Sequence, residues 1–225
     1  MFDHGKLVGF IINGIDRLNG ELVAFNTGTG VIKEYRGNQI VDKLYSFAIP
    51  ELKINGINKC SLEVIQKNDK AIRVYERIGF KKSRALKCFK GELKFKPEKV
   101  KIQEIKYEEI EKRQNINHKL YTWDNSNEAI KISKEVYKNY KVGVKESNDV
   151  GFFIINSISG YLPQFEITAQ LEKKNWKKLF SGIQSVSKYL KINNVDIQRE
   201  ELIEEILRLG LENYIDQYEM EMSIN

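Results

Sequence analysis

The chain has 225 residues, enough for one large or two small domains, and 41% of them are hydrophobic, which suffices for a folded core. Its net charge is +6, but lysines and glutamates are interleaved, as in KYEEIEKRQ, and no nucleic-acid-binding motif is present, so we expect no nucleic-acid partner. No apolar run approaches the roughly 20 residues that span a bilayer, and the first ten residues lack a signal-peptide pattern, so we expect no membrane partner and a cytoplasmic location.

The first predicted elements are two strands joined by a turn. Alternation of apolar and polar residues predicts strands at Leu7–Ile15 and Leu22–Ile32. The segment between them, Asp16–Gly20, contains Asn-Gly, a dipeptide typical of tight hairpin turns. We therefore expect a β-hairpin here.

The second strand leads into a loop that opens a helix. The segment Val31–Leu44 has the sequence VIKEYRGNQIVDKL, with Arg36 and Gly37 in the loop. A strand that passes through a short glycine-containing loop into a helix N-terminus presents several unpaired N–H groups to an anion. Such a nest suits a diphosphate, and Arg36 adds positive charge beside it. The segment therefore predicts an anion-binding loop.

The helix after this loop has one apolar face. We expect Pro50 to kink or divide the helix, because proline removes a backbone donor, and Asn55-Gly56 to end it. The residues predicted on the apolar face are Ile40, Leu44, Phe47 and Ala48.

The next strand, predicted at Cys60–Ile65, is followed by a short helix with capping residues at both ends. Asn68 is suited to the N-cap, and Gly79 to the position after the helix that takes a positive φ. The apolar residues between them recur at helical spacing. Taken alone, this segment favours a capped helix between two strands, with Tyr75 as an ordinary packing aromatic.

This strand–turn–helix segment resembles the cofactor-and-acid segment of the GNAT acetyltransferase superfamily. The pattern is N-x-x-A-x-x-x-Y-x-x-x-G-F, formed by Asn68, Ala71, Tyr75, Gly79 and Phe80. It lies downstream of the predicted anion-binding loop, in the order that the family shows.

The loop itself resembles the GNAT pyrophosphate loop, V-x-P-x-Y-R-G-x-G-x-G/A. The matching residues are Val31, Tyr35, Arg36 and Gly37. Three positions depart from the pattern, because the proline, the central glycine and the final small residue are replaced by Lys33, Gln39 and Val41.

The resemblance implies an α/β (α+β) fold with a mixed, mainly antiparallel central sheet flanked by helices. The elements up to two terminal strands, predicted at Phe80–Ser83 and Ala85–Leu93, correspond to the second half to two-thirds of a GNAT domain. The family's first strand and first two helices have no counterpart before Leu7. Either the sequence is truncated or later residues take their place. The charged segment Lys94–Lys101 predicts a linker.

The sequence after the linker predicts a second, degenerate copy, so we expect two tandem GNAT-like units at 1–95 and 96–225. Strands are predicted at Val100–Ile105, Val150–Ser157, Tyr161–Ile167, Ile192–Val195 and Tyr214–Met222. Helices are predicted at Tyr107–Asn115, Asn127–Tyr140, Glu172–Leu190 and Glu200–Leu209.

The second copy lacks the residues that the resemblance assigns to chemistry. The positions of Asn68, Ala71 and Tyr75 are taken by Arg199, Leu202 and Ile206. No Arg-Gly loop precedes its long helix, where the sequence runs TAQLEKKNWKKL (168–179). A repeat that keeps the fold and loses the chemistry is expected to pack against the first half, shape its substrate groove, or mimic one subunit of a dimer.

The function implied by the resemblance is transfer of an acetyl group from acetyl-CoA to a primary amine. Backbone groups of Thr29, Gly30 and Val31 would pair with the pantetheine arm like an added strand. Asn68 would hydrogen-bond the arm, and Tyr75 would protonate the leaving thiolate, because a phenol with a pKa of about 10 carries a proton at neutral pH. The residues placed at the pyrophosphate are Arg36, Gly37, Asn38, Gln39, Ile40, Val41 and Asp42.

The general base is open between two assignments. Glu63 lies in an L-E-V segment similar to one in which some GNAT N-terminal-amine acetyltransferases carry a catalytic glutamate. It is equally well explained as a solvent-facing strand residue, with a water chain accepting the proton instead.

The sequence has too few histidines and cysteines to favour a metal site or a catalytic pair that contains histidine. Cys60 and Cys88 lie in apolar, strand-like runs, which predicts buried free thiols in a reducing compartment. His4 and His118 are the only histidines, so we expect no metal site and no Ser-His or Cys-His catalytic pair.

Two other functions stay open on the sequence. One is a non-catalytic acyl-CoA-binding or regulatory protein, and the other is a scaffold with neither activity. The acceptor amine is not specified by the sequence, and the chain is expected to act as a monomer or homodimer.

Overall fold

A computed structural model describes residues 1–113, 116–144, 149–168 and 175–224. The chain forms two compact units. The first consists of Met1–Ala85 and Asp216–Asn225, and the second of Leu86–Ile215. The prediction of two repeated units at 1–95 and 96–225 was based on sequence similarity between the halves, and it stays a prediction. By packing, the C-terminal strand residues from Asp216 onward belong to the first unit.

The described residues form twelve strands and six α-helices. The strands are β1 (Phe2–Asp3), β2 (Lys6–Leu7), β3 (Gly9–Leu18), β4 (Glu21–Val31), β5 (Lys59–Ile65), β6 (Lys81–Glu92), β7 (Lys101–Glu104), β8 (Lys138–Gly143), β9 (Asp149–Asn156), β10 (Tyr161–Ile167), β11 (Tyr189–Asp196) and β12 (Glu212–Ser223). The helices are α1 (Ile40–Ile54), α2 (Asp69–Ile78), α3 (Tyr107–Glu111), α4 (Asn127–Ile132), α5 (Asn175–Val186) and α6 (Glu200–Arg208). No helix among them is long and apolar enough to cross a membrane.

The sheet of the first unit is mainly antiparallel, with one parallel pair. Its strands follow the order β3, β4, β5, β12 and the first residues of β6. Strands β3 and β4 form the predicted hairpin, although β3 continues to Leu18 and the turn is only Asn19-Gly20, both with positive φ. Strands β4 and β5 are parallel and are joined by the crossover helix α1. Helices α1 and α2 pack on a core that includes Tyr45, Ile72 and Phe80.

Helix α1 differs from its predicted form at two residues. Phe47 is 77% exposed, so it does not lie on the apolar face, which is centred on Tyr45 and Leu52 instead. Pro50 does not divide the helix, which runs unbroken from Ile40 to Ile54. Because Ser46 and Pro50 are both exposed, the carbonyl that loses its donor can hydrogen-bond to water.

Helix α2 has the predicted caps. The Asn68 side chain accepts a hydrogen bond from the Ala71 N–H at 3.2 Å. Gly79 takes φ +120°, and the N–H groups of Gly79 and Phe80 both donate to the Tyr75 carbonyl. Phe80 is buried and packs edge-on to Tyr75, with ring centroids 5.8 Å apart.

Strand β6 is continuous, whereas the sequence predicted two strands broken near Arg84. The Arg84 guanidinium forms an ion pair with Glu219 of β12, and the Glu219 side chain is only 2% exposed. This pairing lets a charged residue stand in the middle of a strand, since a buried charge is tolerated when it is paired.

The sheet of the second unit follows the order β6, β11, β10, β9, β8 and β7. Its largest core cluster includes Phe153, Phe165, Trp176, Phe180 and Ile192. The predicted helix Asn127–Tyr140 is wrong beyond Ile132, because Lys138–Gly143 is a strand paired with both β7 and β9. Pairing on both edges overrides the helical spacing of the local sequence. The first residues of the predicted helix Glu172–Leu190 lie outside the described residues.

Candidate functional site

The first unit contains a cleft of about 840 Å³ where strands β4 and β5 separate. Their parallel pairing ends at Asn26 and Leu62, so the last residues of β4 diverge from β5. The N-terminal end of α1 and one face of α2 complete the walls. The predicted site residues in the lining are Thr29, Gly30, Val31, Arg36, Gly37, Gln39, Ile40, Val41, Asp42, Glu63, Asn68 and Tyr75.

Gly30 lies in the β4 wall of the cleft. A Cβ at this position would lie 2.5 Å from the ring of Phe10 on β3, so a side chain there would displace that ring. Thr29 and Val31 flank it on the same wall. With β5 no longer paired to them, backbone groups of this segment face the cleft and are available to an extended ligand.

The loop between β4 and α1 ends at a left-handed residue. Gln39 is the N-cap of α1 with φ 54°, and Gly37 has φ +87°. Position 39 is glycine in the family pattern, and the left-handed backbone explains that preference, since a side chain costs about 1 kcal/mol there. The helix that follows offers its first N–H groups and its positive dipole end to the cleft.

Two other loop residues make structural contacts. The Tyr35 hydroxyl donates to Asp3 of the β1–β2 hairpin at 2.6 Å, which ties the hairpin to the loop. Asn38 is exposed, donates to the Tyr35 carbonyl and is absent from the cleft lining, although it was predicted at the pyrophosphate.

Three cationic side chains line the described cleft, Arg36, Lys70 and Arg77. The Arg36 Nε donates to the Val31 carbonyl at 3.1 Å. Arg77 forms a two-point ion pair with Asp42, at 2.6 and 2.7 Å, and this hydrogen bonding holds the pKa of Asp42 below its usual range. The pair neutralises the one acidic group at the start of α1, so the cations dominate beside the helix N-terminus. An anionic ligand fits this end of the cleft.

Tyr75 lies in the last part of α2 and lines the cleft. The side chain is half-buried, and its hydroxyl makes no hydrogen bond within the described part of the chain. The phenol proton is therefore available to a group bound in the cleft. Asn68, at the other end of α2, lines the same cleft while its Oδ1 serves as the helix cap.

Glu63 projects from β5 into the same space. It is half-buried, and Gln217 of β12 donates to its Oε2 at 3.4 Å. Glu63 forms part of the cleft wall, and its assignment as the base stays a prediction. The neighbouring Cys60 is buried, and burial raises the pKa of its thiol to about 11, so it is not a reactive thiolate at neutral pH.

Part of the chain matches a known protein family. Residues 1–80 match the acetyltransferase (GNAT) family. No curated protein sequence matches the chain.

Solved GNAT structures share the fold of the whole chain. A tandem GNAT protein from the clavulanic acid biosynthesis pathway has a TM-score of 0.67 at 10% identity, covering 100% of this chain and 81% of that chain. A GCN5-related N-acetyltransferase from Sphaerobacter thermophilus has a TM-score of 0.63 at 10% identity, with coverages of 98% and 78%. A putative acetyltransferase from Pyrococcus horikoshii has a TM-score of 0.62 at 13% identity, with coverages of 98% and 71%. The predicted GNAT-like fold is confirmed.

In the second unit the antiparallel pair β9–β10 is followed by the parallel pair β10–β11, as β3–β4 is followed by β4–β5 in the first unit. Gly151 on β9 pairs with Ile167 on β10, just as Gly9 pairs with Val31 in the first unit. Glu166 therefore takes the place of Gly30.

The Glu166 carboxylate forms an ion pair at 2.8 Å with Arg199, the N-cap of α6. The Tyr121 hydroxyl also donates to Glu166 at 2.7 Å, and the Arg199 guanidinium lies over the rings of Tyr121, Phe165 and Trp176. Ile206, at the position of Tyr75, is fully buried and has no proton to donate. Glu166, Arg199 and Trp176 line a cavity of about 500 Å³ in this unit, so an ion pair stands where the first unit has Gly30 and Asn68.

Sequence reasoning missed several residues that line or support the cleft. Lys70 and Arg77 are spaced seven apart and so share a helix face with Val74, a spacing visible in the sequence. Two supporting residues could not be found from the local sequence. Gln217 lies on β12, more than 150 residues from its partner Gln66. Asn26 is recognisable only by its side-chain hydrogen bond to Tyr45 of α1. Among the described residues, His, Cys, Asp and Glu form no group of three or more that would hold a metal.

Proposed function

We propose that the first unit binds acetyl-CoA and transfers its acetyl group to a primary amine. The observation that carries this proposal is one cleft in which a splayed strand pair, a cationic helix N-terminus and the Tyr75 phenol converge. Its three parts suit, respectively, an extended amide chain, a diphosphate and a thiolate leaving group. The match of residues 1–80 to the acetyltransferase (GNAT) family supports the same chemistry.

Different residues along the cleft contact different parts of acetyl-CoA. Backbone groups of Thr29–Val31 pair with the pantetheine arm, and Asn68 hydrogen-bonds it from α2. The N–H groups from Gly37 to Asp42, with the charge of Arg36, hold the pyrophosphate. The ion pair of Asp42 with Arg77 keeps the carboxylate from repelling the phosphates.

The reaction is a direct acyl transfer. The amine nitrogen bonds to the thioester carbonyl carbon, and the carbon–sulfur bond breaks. Tyr75 gives its proton to the sulfur as the thiolate leaves. Glu63 accepts the proton that the amine loses, and exchange with solvent then restores both side chains.

Binding and turnover test the proposal together. We expect millimolar acetyl-CoA to raise the melting temperature, because a ligand present at 100 times its Kd stabilises the native state by about 2.7 kcal/mol. We also expect acetyl-CoA consumption with at least one member of a panel of polyamines, amino acids, aminoglycosides and peptides with free N-termini. Stabilisation by CoA without turnover on any amine would favour the non-catalytic acyl-CoA-binding protein. No thermal shift with either CoA or acetyl-CoA would contradict both functions.

A further inference from the structure

A hydrogen-bonded cluster around Asn26 lies at the point where β4 and β5 separate. The Asn26 Nδ2 donates to the Thr29 Oγ1 at 2.7 Å and to the Tyr45 hydroxyl at 2.5 Å. The Asn26 Oδ1 accepts from the Gly28 N–H at 2.9 Å. Every hydrogen of this amide is used, and the orientation of the Asn26 side chain is fixed by three contacts.

Only one assignment of donors and acceptors fits this cluster. The Gly28 backbone N–H can only donate, so it must face the oxygen of Asn26, and the nitrogen must then face the two hydroxyls. Both hydroxyls therefore accept from Asn26, and the single proton of each points elsewhere. Burial raises the pKa of Tyr45, so this hydroxyl stays protonated.

A β-bulge brings these groups together. The β3–β4 register shifts between Ile12 and Asn13, which leaves Thr27 as an extra residue on β4. The Thr27 hydroxyl donates back to the Ile12 carbonyl at 3.2 Å, outside the cluster. The bulge and the Asn26–Gly28 contact turn the chain so that Thr29 reaches Asn26.

Thr29 marks the inner end of the cleft. The strand pairing stops at Asn26, and Thr29 is the first cleft-lining residue after it. From there the wall runs through Val31 to the loop at Arg36, which is the cationic end. A ligand whose phosphates lie at that loop thus has its opposite end beside Thr29. The Thr29 hydroxyl donates no hydrogen bond within the described parts of the chain, so its proton is available to the ligand.

We propose that Asn26 is a positioning residue that presents the Thr29 hydroxyl as a hydrogen-bond donor to the carbonyl oxygen of the acyl thioester. This inference rests on the proposed function. The carbonyl oxygen gains negative charge as the amine attacks, and a fixed donor stabilises that charge. The Thr29 proton is not transferred.

The test compares acetyl-CoA with CoA, because CoA lacks the acyl carbonyl. We expect Thr29→Val to weaken acetyl-CoA binding about tenfold, the effect of one lost hydrogen bond, and to leave CoA binding within about twofold. Thr29→Ser keeps the hydroxyl and should bind acetyl-CoA like the wild type. Calorimetric titration of each variant with both ligands gives the ratio of the two Kd values, which general loosening of the strand would not change.

Asn26→Asp tests the polarity itself. A carboxylate has no N–H, so Thr29 and Tyr45 would donate to it and the Thr29 proton would turn away from the ligand. We expect Asn26→Asp to reproduce the acetyl-CoA-specific loss of Thr29→Val, and the double variant to bind no worse than Thr29→Val alone. Should Asn26→Asp not fold, the Val and Ser substitutions of Thr29 still decide the donor role.

Three results would overturn the inference while leaving the proposed function intact. They are unchanged binding by Thr29→Val, equal loss of CoA and acetyl-CoA affinity, and fully additive losses in the double variant. A wild-type protein that binds neither ligand would overturn the inference and the proposed function together.

Discussion

Replacing Tyr75 with phenylalanine is expected to lower kcat by about 10²–10⁴-fold, the usual contribution of a positioned general acid. The substitution removes one hydroxyl that has no hydrogen-bond partner in the described structure, and it keeps the ring that packs edge-on to Phe80. Folding and CoA binding should therefore change little. Steady-state kinetics with the best amine found for the wild type, together with calorimetric CoA titration, measure the two effects separately.

Tyr140→Phe is a matched control for this substitution. Tyr140 is a half-buried tyrosine of the second unit that stacks on Phe153, with ring centroids 5.0 Å apart. Its variant should keep wild-type kcat. If Tyr75→Phe also keeps wild-type kcat, Tyr75 is not the acid; if it loses CoA affinity instead, the hydroxyl serves binding rather than proton transfer.

Replacing Arg199 with alanine should destabilise the protein by about 3–5 kcal/mol, because it leaves the Glu166 carboxylate buried without its cation. The two side chains are 10% and 16% exposed, so solvent does little to screen the pair. The guanidinium also covers three aromatic rings, whose contacts are lost with it. Chemical denaturation of the variant and the wild type measures the difference.

Two further variants test whether the loss of stability comes from breaking the buried ion pair or from removing any positive charge. Lys177 pairs with Glu98 at 3.8 Å on the surface of the same unit, so Lys177→Ala should cost less than about 1 kcal/mol. The double variant Arg199→Met with Glu166→Leu should recover most of the lost stability, since an apolar pair can replace a buried ion pair. A loss of under 1 kcal/mol for Arg199→Ala would contradict a stabilising role for this ion pair.

The parts of the fold that local chemistry determines were predictable from the sequence. Asn68 and Gly79 bracket a helix through contacts within eleven residues of each other, so the caps and helix α2 could be located without a structure. The loop at Arg36 and Gly37 was recognisable for the same reason. Its left-handed Gln39 was not, because the sequence shows a missing glycine but not the backbone angle that makes glycine favourable.

The parts that long-range pairing determines were not predictable. Arg84 looked like a break in a strand until its partner Glu219, 135 residues away, was known. Lys138–Gly143 looked helical because the strands on both sides of it are distant in sequence. The Asn26 cluster likewise depends on a bulge and on Tyr45 of α1, neither of which leaves a pattern in the strand itself.

The two units differ at the position of Gly30 as well as at the position of Tyr75. Replacement of Tyr75 by Ile206 predicts lost chemistry in the second unit, but not the ion pair that lines its cavity. The ion pair follows from Glu166 at the position of Gly30, which gives Arg199 a carboxylate partner. We therefore expect one acetyl-CoA site per chain.

Calorimetric titration with acetyl-CoA tests the central claim most directly. We predict one site per chain, lost in Ala71→Trp, which fills the cleft from α2, and kept in Arg73→Trp, which places the same ring on the exposed face of that helix. Absence of binding by the wild type, two sites per chain, or full binding by a folded Ala71→Trp variant would contradict the assignment of this cleft.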